Sequence, residues 1–122
     1  MILADTAIWL DHFRGRCPEM RALLAQRQIV THPYVVAELA LGALRDRAVT
    51  LADLDKLVGV RVAYLSELRA LIESHCLYSK GIGLTDAHLV ASCLITVGTQ
   101  LWTRDKSLAT VARSLGIHAE LP

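Results

Sequence analysis

The stretch that decides the fold is residues 81–105, which read GIGLTDAHLVASCLITVGTQLWTRD. Its glycines are typical of a loop, and the apolar residues that follow predict a long helix over residues 85–97, capped by Thr85. Gly98 ends that helix, and residues 100–103 predict a buried strand that leads to Asp105. A loop, a buried helix and a buried strand in succession indicate an α/β architecture.

The rest of the chain continues this alternation of strands and helices. Apolar runs predict further strands at residues 2–4, 29–31, 60–63 and 117–119. Apolar residues at helical spacing predict helices over residues 7–14, 20–24, 33–44, 50–58, 65–76 and 105–115. Buried strands that alternate with helices predict a central parallel sheet flanked by helices. A length of 122 residues allows one domain, over 1–122, with one site.

Composition and charge exclude several classes of protein. Hydrophobic residues make up 53% of the chain and charged residues 20%, so the chain is not intrinsically disordered. The formal net charge is only +1, so no strong overall field draws the protein to nucleic acid, and a phosphate-bearing ligand must be held locally. No run of residues resembles a secretion signal or is apolar enough to span a bilayer.

The cysteines and histidines do not predict a metal or disulfide site. Cys17, Cys76 and Cys93 are odd in number, widely spaced and without a CxxC motif, which argues against a disulfide framework and a zinc ribbon. Free cysteines favour a reducing, cytoplasmic environment. The five histidines follow no zinc-ligand spacing, and His88 lies two residues after Asp86, where the two side chains point apart on a helix.

Acidic residues stand at unusual places in this pattern. Asp5 ends the first predicted strand, Glu38 interrupts an apolar helix face, Asp86 opens the long helix, and Asp105 follows the Leu-Trp-Thr strand. Ligands of open parallel sheets bind outside the carboxyl ends of the strands, where Asp5 and Asp105 are expected. The fold has to bring the four acids together, because they are far apart in sequence.

A divalent cation would resolve the repulsion within such a cluster. Gathered carboxylates repel one another, and Mg²⁺ or Mn²⁺ prefers oxygen ligands and leaves coordination positions for substrate phosphate. Such an ion can activate a water for attack on a phosphodiester. The alternative is structural: Asp5, Asp86 and Asp105 can also be ordinary acids at helix N-termini, and Glu38 a half-exposed residue on its helix.

An ordered set of segments carries a resemblance to a known family. The segments are Asp5-Thr6, Ile8-Trp9-Leu10-Asp11-His12-Phe13, Glu38 within Val-Val-Ala-Glu-Leu, Gly81-Ile82-Gly83-Leu84-Thr85-Asp86-Ala87-His88, and Leu101-Trp102-Thr103-Arg104-Asp105. Together they resemble a PIN domain of the VapC toxin type over nearly the whole chain. The resemblance implies a three-layer α/β/α domain that hydrolyses RNA phosphodiester bonds with Mg²⁺ or Mn²⁺, as the toxin of a bacterial type II toxin–antitoxin pair.

The resemblance also implies roles for individual residues. It places Asp5, Glu38, Asp86 and Asp105 in the catalytic cluster, with Thr6 and Thr103 as supporting hydroxyl residues that can also cap helices. The hypothesis is that Asp5 and Asp86 are the main metal ligands and that Asp105 completes the site directly or through water. Glu38, also a candidate metal ligand, would orient or deprotonate the attacking water.

Expected partners are RNA, a cognate antitoxin and a second copy of the chain. Arg14, Arg16, Arg45 and Arg104 are the candidates for contacts with RNA phosphates, although each can equally lie on a solvated surface. The resemblance implies a homodimer and an antitoxin that places a basic side chain against the acids. Apolar residues of the first helix, such as Trp9 and Phe13, offer surface for that partner.

Two other functions compete with this interpretation. A phosphoacceptor receiver domain has a similar length and architecture but needs an acidic pair after its first strand, where this chain has Asp5 alone. A PIN-like scaffold that binds RNA or protein without cutting is the second, and the four intact carboxylates argue against it. The RNA target, the number of metal ions and the role of residues 45–63 are not encoded in any motif.

Overall fold

A computed structural model describes residues 1–122 and contains three short strands and seven helices. The strands are β1 (Ile2–Ala4), β2 (Ile29–Val30) and β3 (Gln100–Trp102). The helices are α1 (Thr6–Phe13), α2 (Pro18–Ala25), α3 (Pro33–Leu41), α4 (Arg47–Asp55), α5 (Leu65–Ser74), α6 (Leu84–Ile95) and α7 (Lys106–Ser114). None of these helices is both long and apolar enough to cross a membrane.

The strands form one parallel sheet in the order β2-β1-β3. Leu3 of the central strand is fully buried and pairs with Val30 on one side and Leu101 on the other. Since the strands run in the same direction, their carboxyl ends share one edge of the sheet. This confirms the predicted parallel α/β architecture and brings the residues after β1 and β3 to a common edge.

One predicted strand is absent, and another is reduced to a single bridge. Residues 60–63 form no strand. Gly59 makes a single bridge to Thr31, the residue after β2, and the Arg61 backbone N–H then donates to the hydroxyl of Thr96, the C-cap of α6. Residues 117–119 likewise contribute one bridge, between His118 and Leu101. Each segment extends one edge of the sheet by a single residue. The next backbone groups then form other hydrogen bonds, from the Arg61 N–H to the Thr96 hydroxyl and from the Leu121 N–H to the Ala119 carbonyl.

Helix boundaries also differ from the prediction in places. Thr85 does not cap α6, since the Gly83 carbonyl already accepts the Ala87 N–H at 2.9 Å and Gly83 is the N-cap. The fourth helix begins at Arg47 rather than near Thr50, after a left-handed residue. The third helix ends at Leu41, where Gly42 is extended.

The core is built mainly of aliphatic residues, as the low aromatic content indicates. A cluster of 23 buried residues joins the three strands to α1, α3, α6 and α7. Helix α6 is the most buried helix, with seven buried residues in succession from Ala87 to Cys93. Burial on all sides explains its uninterrupted apolar sequence. It also fixes the position of Asp86, which lies in the first turn of this helix just before the buried run.

Candidate active site

Asp5 connects the end of β1 to the start of α1. It is the N-cap of α1, and its Oδ1 atom accepts a hydrogen bond from the Ile8 backbone N–H at 3.1 Å. Its Oδ2 atom accepts a short hydrogen bond from the Thr103 hydroxyl. Asp5 is buried, with 8% of its surface exposed. The helix-capping role and a role in an acidic cluster are therefore combined in one side chain.

Thr103 and Asp105 form a second capped turn at the end of β3. The Thr103 hydroxyl accepts a hydrogen bond from the Asp105 backbone N–H at 3.1 Å while it donates to Asp5. Asp105 is the N-cap of α7, and its Oδ1 atom accepts from the Leu108 N–H at 2.8 Å. Thr103 thus links the two capping aspartates at the carboxyl edge of the sheet.

Glu38 approaches this edge from α3. The Thr6 hydroxyl, at the first residue of α1, donates a hydrogen bond to Glu38 Oε1 at 2.6 Å. Glu38 itself is exposed. The apolar neighbours of Glu38 in sequence suggest a free-energy cost of burying its carboxylate. This cost does not arise, because the carboxylate is exposed and has a hydroxyl partner.

Electrostatic repulsion links Asp86 to the other three candidate carboxylates. Its pKa is raised, first by burial and then by repulsion from Asp105, Asp5 and Glu38. Burial and Asp105 also raise the pKa of Asp5, although its hydrogen bonds from Thr103 and Ile8 and the nearby Arg104 act in the opposite direction. Four acids that are distant in sequence are close enough in space to disfavour one another's charge.

The donor set at this edge consists of oxygen atoms only. No three His, Cys, Asp or Glu side chains of the chain converge closely enough to hold a metal ion directly. Mg²⁺ is commonly held by one or two carboxylates and keeps several waters, so direct ligation by every acid is not required. The mutual repulsion of the carboxylates is the feature that a hard divalent cation would relieve.

Arg104 is held within the chain. Its Nη1 atom forms an ion pair with Asp11 Oδ2 at 2.7 Å, and its Nε donates to the Pro122 carbonyl at 2.8 Å. Its remaining nitrogen contacts the Cys17 sulfur at 3.4 Å. These contacts tie the turn that follows β3 to α1, so a phosphate would compete with protein partners for this guanidinium.

Two other predicted arginines line the same cavity. Arg14, at the end of α1, and Arg45, after α3, both line a cavity of about 580 Å³ together with Leu10 and Phe13. Arg16 is exposed but does not line this cavity. Arg47, the neighbour of Arg45 in sequence, instead donates to the Ala40 and Gly42 carbonyls at the end of α3.

An aromatic cluster that the sequence did not predict lies one helical turn from Glu38. His32, Tyr34 and His88 stack edge to face, with ring centroids 5.1 Å apart for His32 and Tyr34 and 4.5 Å apart for Tyr34 and His88. The spacing of the histidines in sequence gives no indication of this cluster. The one signal in the sequence was His-Pro-Tyr directly after a strand, where the histidine caps α3.

Comparison with known proteins identifies the family. The family model of the PIN domain matches residues 2–114. The chain is 36% identical over 117 residues to "Ribonuclease VapC32" of Mycobacterium tuberculosis, from strains CDC 1551 / Oshkosh and ATCC 25618 / H37Rv, and the match covers 96% of this chain and 94% of the relative. This match favours a PIN domain over the alternative interpretation as a phosphoacceptor receiver domain. The chain belongs to the PIN domain family and, within it, to the VapC family.

Proposed function

We propose that this protein is a metal-dependent endoribonuclease that acts as the toxin of a type II toxin–antitoxin pair. The VapC relative bears the name ribonuclease. The observation that carries the proposal is the pair of hydrogen bonds through which Thr103 joins Asp5 to the Asp105 turn, next to Asp86, whose pKa is raised by burial and by repulsion from Asp105, Asp5 and Glu38. Carboxylates that repel one another at the carboxyl edge of a parallel sheet are the ligand set of a hard divalent cation.

The proposed roles follow from where each carboxylate lies. Asp5 and Asp86 would hold Mg²⁺ or Mn²⁺, and Asp105 would complete the site through water, since no three such side chains converge closely enough to bind an ion directly. When bound, the ion would supply charge neutralisation at the phosphate and a water of lowered pKa. Thr103 orients Asp5 through its hydrogen bond, so this carboxylate is fixed before any ligand arrives.

Glu38 has a different proposed role from the aspartates. It is exposed, and one of its oxygens is already engaged by the Thr6 hydroxyl. That hydrogen bond holds the carboxylate in one orientation and leaves its second oxygen to accept a proton from an attacking water. Thr6 is therefore a positioning residue that acts through Glu38.

The proposed partners are RNA, an antitoxin and a second copy of this chain. An antitoxin side chain such as arginine would satisfy the same carboxylates as the metal, because charge-assisted hydrogen bonds to carboxylates are strong. The three cysteines are free in the structure, in keeping with a proposed cytoplasmic site of action.

RNA cleavage by the purified chain tests the proposal. We expect end-labelled RNA to be cut internally with Mg²⁺ or Mn²⁺ and to stay intact with a chelator, and we expect expression to arrest growth unless the antitoxin is co-expressed. The Glu38→Gln variant should lose at least about 100-fold in cleavage rate, since general base catalysis contributes about 10²–10⁴-fold.

Asp55→Asn is the matched control, because Asp55 is an exposed acid on α4. It should cleave RNA at the wild-type rate. Metal binding without cleavage by the wild-type chain would instead support a silent PIN-like scaffold. Cleavage that persists in excess chelator would exclude the metal-dependent mechanism.

Salt dependence tests the proposed binding of RNA phosphates by Arg14 and Arg45. We expect the double variant Arg14→Gln/Arg45→Gln to bind RNA more weakly and to reduce the slope of log affinity against log salt by about 0.7 for each phosphate that is no longer neutralised. Affinity measured between 50 and 200 mM salt, about the range over which such charges act, gives the slope. Arg69→Gln on α5 is the matched control, and an equal change in that variant would contradict a local interaction.

A further inference from the structure

The aromatic cluster at the start of α3 combines one partly exposed ring with two buried rings. His32 is fully buried and His88 is 2% exposed, whereas Tyr34 is 39% exposed. Both histidine rings pack against Tyr34, at 5.1 and 4.5 Å between ring centroids. The tyrosine therefore packs against two buried rings and keeps part of its side chain exposed to solvent.

The polar atoms of the two histidines make this cluster unlike ordinary core packing. His32 Nδ1 accepts the Tyr34 backbone N–H at 3.0 Å, and burial lowers the pKa of His32 to about 4, so its ring is neutral. His32 Nε2 and His88 Nδ1 are buried without a hydrogen-bond partner. Aliphatic side chains would fill the same space without that cost. Flat rings, however, fix the position of an aromatic neighbour.

The cluster borders the acidic site. Tyr34 lies four residues before Glu38, so the two side chains share one face of α3 and are one helical turn apart. A base attached to a nucleotide whose phosphate reaches the carboxylates would therefore come close to the exposed ring.

We propose that Tyr34 is a stacking platform for a nucleobase of single-stranded RNA next to the phosphate that is cleaved. This inference rests on the proposed ribonuclease function. Proteins that recognise single-stranded RNA stack unpaired bases on aromatic side chains, and such stacking tolerates different bases because every base has a π-face. The two histidines are positioning residues that hold the ring.

RNA binding by Tyr34 variants tests the platform. The probe is a fluorescent single-stranded RNA oligonucleotide of fixed sequence, and binding is followed by anisotropy in an Asp86→Asn background that prevents cutting. We expect Tyr34→Ala to weaken binding about 5- to 150-fold and Tyr34→Phe to recover most of it, because the ring is retained. Tyr64→Ala, at an exposed tyrosine on another element, is the matched control and should bind normally.

Abasic substrates identify the stacked position. Oligonucleotides that lack the base at one position at a time should show one position at which the loss of affinity for the Tyr34 protein matches the loss caused by Tyr34→Ala. At that position, Tyr34→Ala should lose no further affinity, since coupled partners are not additive. Melting temperatures of all variants, with Tyr34→Leu included to keep apolar volume, separate this effect from misfolding.

Three results would overturn the platform. They are unchanged RNA affinity in Tyr34→Ala, equal losses at every abasic position, or a loss of antitoxin binding with RNA binding intact, which would assign the ring to a protein partner. The binding arm requires no cleavage. A wild-type chain that fails to cut RNA with metal would therefore refute the proposed activity, while the anisotropy measurements would still decide on Tyr34.

Discussion

Asp86→Asn is expected to lose at least about 10³-fold in RNA cleavage and, at the same time, to raise the melting temperature of the metal-free protein. The loss follows from the proposed role of Asp86 as a metal ligand, because a bound cation contributes several kcal/mol of transition-state stabilisation. An amide removes the charge that holds such an ion while its size is unchanged. Single-turnover cleavage of end-labelled RNA in Mg²⁺ measures this effect.

The gain in stability follows from the direction of the pKa shift. Burial and three neighbouring carboxylates raise the pKa of Asp86 above its ordinary value of 3.8, so the folded chain disfavours the charged form. This destabilisation is complete above the folded pKa and is relieved as the pH falls through it towards 3.8. At neutral pH we expect Asp86→Asn to melt about 2–5 °C higher than the wild type, and this gain should shrink as the pH falls.

Metal addition separates the two effects of this substitution. Mg²⁺ should raise the melting temperature of the wild type, because a ligand that binds only the folded state stabilises it, and should not raise that of Asp86→Asn. Asp55→Asn should behave like the wild type in both measurements. Retention of more than a tenth of the activity by Asp86→Asn would exclude Asp86 as a metal ligand. A melting temperature of this variant below that of the metal-free wild type would contradict the repulsion among the carboxylates.

Much of the fold was predictable because its signals are local. The buried strand β1, the Pro-initiated helix α3 and the long apolar helix α6 each carry their pattern within a dozen residues. Residues 60–63 were mispredicted because alternation of apolar residues cannot reveal that the Arg61 backbone would bond to Thr96, 35 positions away. The single bridges at Gly59 and His118 depend in the same way on contacts between distant segments.

The acids of the site could be named from sequence, but their connections could not. The Thr6–Glu38 and Thr103–Asp5 hydrogen bonds span 32 and 98 positions. Arg104 was predicted as a candidate for contacts with RNA phosphates, whereas in the fold its guanidinium pairs with Asp11. Spacing in sequence identifies residue types at strand ends and helix starts, and only the packed sheet determines which side chains meet.

Thr103→Val is expected to reduce RNA cleavage about 10- to 100-fold at acidic pH and to have a much smaller effect at alkaline pH. Valine matches threonine in shape but lacks the hydroxyl that donates to Asp5 and accepts the Asp105 N–H. Hydrogen bonds to charged groups contribute about 1.5–3 kcal/mol. Their loss therefore affects the charged form of Asp5 most.

The direction of the pH dependence follows from the forces on Asp5. Burial raises the pKa of this carboxyl, and the hydrogen bond from Thr103 is the largest influence that lowers it. Without the hydroxyl, the pKa of Asp5 rises further, so a smaller fraction is deprotonated at a given pH below neutrality. The acid limb of the pH–rate profile should consequently move to higher pH, and activity should recover when the carboxyl is fully ionised.

Thr103→Ser is the matched control, because it keeps the hydroxyl and removes one methyl group from a buried position. It should retain the wild-type pH profile even if its melting temperature falls slightly. A uniform loss of activity for Thr103→Val at every pH would indicate that the threonine only supports the turn before α7. A shifted acid limb in the valine variant alone would show that a hydroxyl 98 positions away from Asp5 tunes the ionisation of that carboxylate.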